Sequence, residues 1–133
     1  MASVNTFTEW AQWLEKSGGK IVHSELSVAS IDFLYAGTLD AIVEMTDKHT
    51  HSSQLYVVDW KTTKKVRPDH ALQLAAYAHA FEELYETKIN GAAIVSLLSR
   101  NEAEWYHVKD VPRAFDYFCS ALHLYRLPSD HLF

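Results

Sequence analysis

The stretch Val57-Val58-Asp59-Trp60-Lys61-Thr62 decides how this chain is organised. It predicts a buried β-strand that ends in an acid and an amine two positions apart. Residues two apart on a strand point to the same face, so Asp59 and Lys61 are expected to lie side by side while Trp60 packs behind them. Taken alone, the pair is more typical of a salt bridge than of a reactive site. The polar groups on neighbouring elements change that interpretation.

Four further polar side chains fall on predicted elements nearby. Asp40 follows Gly37-Thr38-Leu39 and sits among apolar residues of another strand. A buried lone carboxylate is costly, so Asp40 needs a partner, and a cation is one such partner. Glu25 lies on a third strand. Gln73 and Tyr77 are four residues apart on a helix and share a face.

Hydrophobic periodicity predicts eight elements in the order α-β-β-β-α-β-β-α. The helices are expected at residues 6–17, 68–87 and from 110 onward, and the strands at 20–30, 33–45, 54–62, 92–98 and 104–108. This mixed order predicts an α/β sandwich, a central mixed sheet of about five strands with helices on its faces. The 133 residues are enough for one domain and too few for two, so residues 1–133 are expected to form a single domain.

Local signals add detail to these elements. Thr6 and Glu9 have the spacing of a helix capping box. Gly37 inside a strand suggests a bulge or a close backbone approach. Strand alternation puts His23 and Glu25 on one face, together with positions 21 and 27. That face is either an exposed polar surface or part of a site. His49 and His51 lie in a polar hairpin loop without further zinc ligands at suitable spacing.

Composition limits the classes of protein. The chain is 48% hydrophobic and 22% charged, which is typical of a globular domain. No apolar run is long enough to cross a membrane, and the N-terminus lacks the pattern of a secretory signal. The single cysteine, Cys119, excludes a disulfide framework and a cluster held by several thiolates, and it fits a reducing cytoplasm.

Charge argues against a protein that coats nucleic acid. The formal net charge is -5, whereas such proteins are basic. An enzyme with acids around a cation remains compatible with that charge. Four of the twelve basic residues fall within seven positions beside the candidate acids, either as a solvated loop or as a phosphate-binding segment: Lys61, Lys64, Lys65 and Arg67.

In this order and spacing, the motifs resemble the PD-(D/E)XK nuclease superfamily. The motifs are Glu25, Gly37-Thr38-Leu39-Asp40, Asp59-Trp60-Lys61 and Gln73-x-x-x-Tyr77. They are most similar to its RecB-like and Cas4-like branch, which includes small phage exonucleases. The resemblance implies a restriction-endonuclease-like fold and a metal-dependent deoxyribonuclease, an exonuclease rather than a sequence-specific endonuclease.

The resemblance also implies residue roles. Asp40 and Asp59 would bind the metal with the backbone carbonyl of Trp60, and Glu25 would contact it directly or through water. Lys61 would orient or activate the attacking water, or stabilise charge on the phosphate. The remaining residues would brace the site and hold the nucleic acid: Gln73, Tyr77, Lys64, Lys65 and Arg67. Carboxylate ligands suit Mg²⁺ or Mn²⁺ better than zinc.

The sequence departs from the superfamily pattern in several places. The proline of its name is missing before Leu39-Asp40, and the cluster-binding cysteines of Cas4-like proteins are absent, so no iron–sulfur cluster is expected. The chain resembles a bare catalytic core, so a homo-oligomer or a partner protein is expected to supply further grip on DNA. The resemblance suggests the cytoplasm of a bacterium or of a phage-infected host.

Two other hypotheses stay open at this point. The first is a nuclease-like module that binds DNA or regulates a partner without cutting. The acidic balance and small size of the chain motivate it. The second is a structural α/β domain in which Asp59 and Lys61 form only a salt bridge.

Overall fold

The elements follow the predicted order. The computed structural model describes residues 2–62, 65–97 and 104–128, with side chains from residue 7 onward. The helices are α1 (Ala2–Lys16), α2 (Pro68–Tyr85) and α3 (Val111–Tyr125), and the strands are β1 (Gly19–Ser30), β2 (Tyr35–Thr46), β3 (Ser53–Lys61), β4 (Gly91–Ser96) and β5 (Glu104–His107). None of these helices is long and apolar enough to cross a membrane.

The five strands form one mixed sheet in the order β1-β2-β3-β4-β5. Only β3 and β4 run parallel, and α2 makes the crossover that a parallel pair requires. β3 is the central strand. Its residues Val57 and Val58 are fully buried and pack on opposite faces, as their continuous apolar run predicted. The fold is restriction-endonuclease-like, with a sheet flanked by helices.

Each face of the sheet has its own hydrophobic core. α2 covers one face, where its alanines let the helix approach closely: Ala78 and Ala80 pack with Leu39, Ile42 and Val57. α3 packs beside α2. α1 covers the other face with Trp10 and Leu14, which pack with Ala41, Val43, Val58, Val95 and Leu97. The buried residues of the central strands therefore divide between these two cores.

The strands separate at one end of the sheet. Pairing between β2 and β3 runs from Thr46↔Ser53 to Ala41↔Val58. Pairing between β3 and β4 continues three positions further, to Lys61↔Ser96. The β1–β2 hairpin therefore leaves the sheet at Ala41, and a fork opens between it and the end of β3.

Two local predictions are wrong. α1 begins at Ala2, so Thr6 lies inside the helix and cannot form a capping box with Glu9. In β1 the register shifts between Ile21 and His23. This bulge places Ile21 opposite Val43 and His23 opposite Ile42, which face different sides of the sheet, so positions 21, 23, 25 and 27 do not share one face.

Other boundaries differ by at most two residues. The second strand starts at Tyr35 because residues 31–34 form a turn. The fourth strand ends at Ser96, and Leu98 and the turn predicted at 100–102 lie outside the described residues. Asp110 caps α3, since its carboxylate accepts the Arg113 N–H at 3.1 Å.

Candidate active site

The end of β3 presents an acid and an amine on one face, as its alternation predicted. The Asp59 carboxylate lies 2.8 Å from the Lys61 ammonium, and Asp59 is only 7% exposed. Trp60 points to the opposite face, where its ring packs on Phe7 and Trp10 at centroid distances of 5.1 and 5.6 Å. This aromatic packing fixes the strand end, so Asp59 and Lys61 have a rigid base.

Asp40 occupies the fork between β2 and β3. Its carboxylate accepts the Trp60 N–H at 3.0 Å, which satisfies a backbone donor at the point where the ladder between the two strands has ended. Its carboxyl group also lies close enough to that of Asp59 for the two to interact. Strands that are distant in sequence thus bring the two carboxyl groups together.

The surroundings of Asp40, including the neighbouring Asp59, alter its titration. Burial, together with the hydrogen bond to Asp59 and its negative charge, raises the pKa of Asp40 to about 7. The Trp60 N–H and the Lys61 ammonium act in the opposite direction but are weaker. Ionisation of Asp40 is therefore disfavoured beside Asp59 and would be favoured by a further cation.

The donor set at the fork fits a hard divalent ion. Carboxylate oxygens and backbone carbonyls are the ligands that Mg²⁺ and Mn²⁺ prefer. Asp40 and Asp59 supply the carboxylates, and a cation between them would remove their repulsion. Within residues 2–62, 65–97 and 104–128, no three His, Cys, Asp or Glu side chains are grouped to hold a metal. Among the described side chains, Asp40 and Asp59 would provide two ligands to such an ion, and substrate or water would have to complete its coordination.

Glu25 lies near the fork by register but is not gathered into the acid pair. Its neighbours Ser24 and Leu26 pair with Ala41 and Leu39, which places its backbone across from Asp40. The residue is exposed and has a left-handed backbone with φ of 50°. This conformation interrupts the alternation of β1. The side-chain direction expected for a regular strand therefore does not apply to Glu25. A metal-binding role for Glu25 stays a prediction.

α2 contributes the predicted helical pair. Gln73 Nε2 donates to Tyr77 Oη at 3.0 Å. Burial raises the pKa of Tyr77, and the charges of Asp59 and Asp40, which lie near the phenol, raise it further. A Cβ at Gly37 would lie 2.7 Å from the Tyr77 ring, so the glycine provides the space for this tyrosine.

The described basic residues that follow β3 lie on an exposed segment. Lys65 and Arg67 are exposed, and the Arg67 guanidinium pairs with Asp69 at 3.1 Å just before α2. Lys64 lies outside the described residues. These positions follow the site directly along the chain, and their contact with nucleic acid stays a prediction.

Sequence reasoning missed one polar residue beside the site. Ser96 is 7% exposed and is the register partner of Lys61 on the parallel strand β4. It shares the α2 face with Ile94, two residues earlier. The sequence signal for it is a lone hydroxyl within the otherwise apolar run 92–97.

Comparison with known proteins agrees with this geometry. A family model for the PD-(D/E)XK nuclease superfamily matches residues 2–125. The chain belongs to this superfamily. No curated protein matches the chain. The match extends beyond the motifs between Glu25 and Tyr77 and takes in α1 and α3.

Proposed function

We propose that this PD-(D/E)XK domain is a Mg²⁺- or Mn²⁺-dependent deoxyribonuclease that acts as an exonuclease. The observation that carries the proposal is the cluster of Asp40, Asp59 and Lys61 in the fork, two acids in contact beside one ammonium. Residues from two strands meet there, and the superfamily match covers both strands. The exonuclease mode rests on the likeness of the motifs to the RecB-like branch.

Hydrolysis of a phosphodiester brings a nucleophile to an anion and builds negative charge on phosphorus-bound oxygens. The divalent ion held by Asp40 and Asp59 would supply an acidic water and charge neutralisation. In the protein itself, Asp59 holds the Lys61 ammonium at 2.8 Å, so a fixed positive charge stands beside the place where the phosphate must lie. Such a preorganised charge stabilises the transition state more than the ground state.

The remaining groups position the substrate. Tyr77 presents its hydroxyl toward the acids, and Gln73 holds that hydroxyl in place. Gln73 is exposed at the edge of the site, where its amide is available to a nucleotide. Lys64, Lys65 and Arg67 would hold the phosphates on either side of the scissile bond.

A cleavage assay on end-labelled linear and closed circular DNA tests the proposal. Wild-type protein should release label from linear DNA with Mg²⁺ or Mn²⁺ and not with EDTA, while circles stay intact. Lys61→Ala should reduce the rate by at least about a hundredfold, the scale seen when a transition-state charge partner is removed. Lys20→Ala is the matched control, because Lys20 also pairs with an acid (Glu44, 3.6 Å) but lies at the far end of β1. Nicking of circles would replace exonuclease with endonuclease, and an inert wild type would contradict the proposal.

A second candidate is a nuclease-like binding module. The absence of a third acidic ligand among the described residues favours it, as does the closed ion pair between Asp59 and Lys61. DNA or partner binding that needs no metal and survives Asp59→Ala would support this candidate over the nuclease.

A further inference from the structure

One buried hydroxyl at the end of β4 lacks a partner among the described residues. Three polar or charged side chains are buried in the described part of the chain: Ser30, Asp59 and Ser96. Ser30 donates to Glu83 at 2.7 Å, and Asp59 pairs with Lys61 at 2.8 Å. Ser96 is 7% exposed, and its hydroxyl makes no hydrogen bond to another described residue. A buried hydroxyl without a partner is costly, so this serine needs an explanation outside the fold.

The size of the side chain does not explain the serine. Alanine occupies two other buried positions of the same strand, Ala92 and Ala93. An alanine at position 96 would fill nearly the same volume without burying a polar group. The hydroxyl itself therefore distinguishes Ser96, and we expect its partner to come from outside the chain.

Ser96 lies on the face of the sheet that carries Lys61. In the parallel pairing of β3 and β4, Val57 and Ala92 are register partners, and both pack in the core under α2. Four residues further along these strands, Lys61 and Ser96 are again register partners. Strand alternation brings both of them to the α2 face, and neighbouring strands lie about 4.8 Å apart. The hydroxyl and the lysine side chain are therefore neighbours.

Neither charged neighbour of Ser96 binds its hydroxyl. The Lys61 ammonium turns back along β3 to Asp59, 2.8 Å away. On the other side, Glu104 of β5 is the register partner of Ser96, and its carboxylate accepts the Tyr106 hydroxyl at 2.5 Å. An anion on this face would be attracted by Lys61 and repelled by Glu104. These charges favour a place for an anion between Lys61 and Ser96.

We propose that the Ser96 hydroxyl donates a hydrogen bond to a non-bridging oxygen of the DNA phosphate that the Lys61 ammonium attracts. In the sheet order, Asp40 comes from the β2 side of Lys61 and Ser96 from its β4 side. The phosphate is thus held from both sides of β3. The inference rests on the proposed nuclease function and adds a substrate-binding residue to its site.

The chemistry of this place favours a phosphate as the partner. The serine hydroxyl and the lysine ammonium are both donors, and such groups contact phosphate oxygens in protein–DNA complexes. A cation at the same place would be repelled by Lys61. The phosphate carries negative charge in the bound substrate as well as in the transition state. Ser96 should therefore contribute to binding of the substrate and little to the chemical step.

Steady-state cleavage of linear DNA tests this role. Ser96→Ala should raise KM at least about tenfold, the size expected for a hydrogen bond to a charged group, and should leave kcat within about twofold of wild type. Ser96→Cys should have the same defect, because a thiol is a weak donor, whereas Ser96→Thr keeps the hydroxyl and should restore binding. Ser53→Ala is the matched control, because Ser53 is a hydroxyl residue at the opposite end of β3.

Thermal unfolding separates this role from a structural one. Removal of a buried hydroxyl without a partner should leave the Tm of Ser96→Ala equal to that of wild type or raise it. A serine that supports the fold would give a lower Tm, and a parallel loss of Tm and affinity would overturn the proposal. A fall in kcat at constant KM would show that Ser96 acts through Lys61, and it would overturn the phosphate contact as well.

Fluorescence anisotropy in EDTA at low ionic strength measures binding without cleavage. Short fluorescein-labelled DNA should bind Ser96→Ala at least about fivefold more weakly than it binds wild type or Ser53→Ala. This difference together with an inert wild type would contradict the nuclease and leave the phosphate contact standing. An active wild type, with Ser96→Ala binding and cleaving like Ser53→Ala, would overturn the contact and leave the nuclease standing. DNA that wild type neither binds nor cleaves would overturn both.

Discussion

At the scale of single residues, Asp40 has two contacts with opposite effects on its charge. The Trp60 N–H favours the ionised carboxylate, whereas burial and the adjacent Asp59 favour the neutral one. The second influence is stronger, so the pKa rises to about 7. A group with a raised pKa stabilises the fold at low pH, and that contribution is lost as the pH rises through the folded-state pKa.

Asp40→Asn should therefore stabilise the metal-free protein. The gain over wild type should grow from about pH 4 to pH 7 and stay constant above it, because over that interval only the folded wild type holds the proton. Asp40 is partly exposed, so solvent screening reduces the effect to a few degrees in Tm. Thermal unfolding in EDTA at pH 5 and pH 8 measures it.

Asp69→Asn is the control for this prediction. The neighbouring Arg67 lowers the pKa of Asp69, so removing its charge should leave stability unchanged or lower it. A loss of stability in Asp40→Asn at pH 8 would contradict the explanation. DNA cleavage by Asp40→Asn should fall even though the fold is more stable, which is the usual conflict between function and stability at active sites.

Gly37→Ala should damage the site through Tyr77. The added methyl would stand 2.7 Å from the tyrosine ring, which must then move away from the acids. We expect cleavage to fall by at least about tenfold, since small displacements of positioning groups have large kinetic effects. Gly91→Ala is the matched control, because its methyl meets the Tyr56 ring at the same 2.7 Å, away from the acid pair. Equal losses of activity in both variants would show that the effect is only on stability.

At the scale of elements, α2 serves two parts of the molecule. Its first half carries Gln73 and Tyr77 at the fork, and its second half carries Glu83, which fixes the β1–β2 turn. The alanines between them keep the helix close to the sheet. A single helix thus contacts both the acid pair and the β1–β2 turn.

Glu83→Gln should loosen that turn without unfolding the sheet. Amide hydrogen exchange at residues 31 and 32 should accelerate by about tenfold or more, because both N–H groups lose a charged acceptor. Since the pKa of Glu83 is lowered, its stabilising effect is present above the ordinary glutamate pKa and is lost as the pH falls through the folded-state value.

Thermal unfolding gives the second measurement for Glu83. The difference in Tm between wild type and Glu83→Gln should be equal at pH 6 and pH 8, and it should shrink under acidic conditions below about pH 4. Glu86→Gln, an exposed neighbour on the cap of α2, should change neither exchange nor Tm. Slow exchange retained in Glu83→Gln would show that Arg126, whose guanidinium donates to the Phe33 carbonyl at 2.9 Å, holds the turn alone.

At the scale of the whole molecule, the protein is acidic and its two acids at the fork repel each other. The net charge of -5 weakens association with DNA, whereas a divalent ion at the fork adds positive charge where the phosphate binds. Metal binding is therefore expected to increase the affinity for DNA, and DNA binding to increase the affinity for the metal.

Divalent ions should stabilise the folded protein. A ligand that binds only the native state adds about 1.4 kcal/mol at ten times its dissociation constant, which is several degrees in Tm for a domain of this size. Mg²⁺ or Mn²⁺ should raise the Tm of wild type in a saturable way, and Asp59→Asn should abolish the rise. An equal rise in that variant would place the metal elsewhere.

The sequence alone determined the order of elements and the composition of the fork. Alternation on β3 placed Asp59 and Lys61 on one face and Trp60 on the other, and helical periodicity paired Gln73 with Tyr77. These features repeat over two or four residues, so they depend on local geometry that any strand or helix imposes. The Asp59-Trp60-Lys61 and Gln73-x-x-x-Tyr77 motifs could be recognised in the sequence because their spacings follow these local periodicities.

Only the tertiary structure decided what depends on pairing between distant segments. The bulge after Ile21 and the left-handed backbone of Glu25 break the alternation of β1. No glycine or other residue type at these positions predicts either feature from the sequence. The contact of Asp40 with Asp59 arises because β2 leaves β3 at Ala41, and that divergence is a property of the sheet register. The outward turn at Ile31 and Leu34 likewise depends on Glu83 and Arg126, more than fifty and ninety residues away, whose hydrogen bonds hold a conformation that local propensity disfavours.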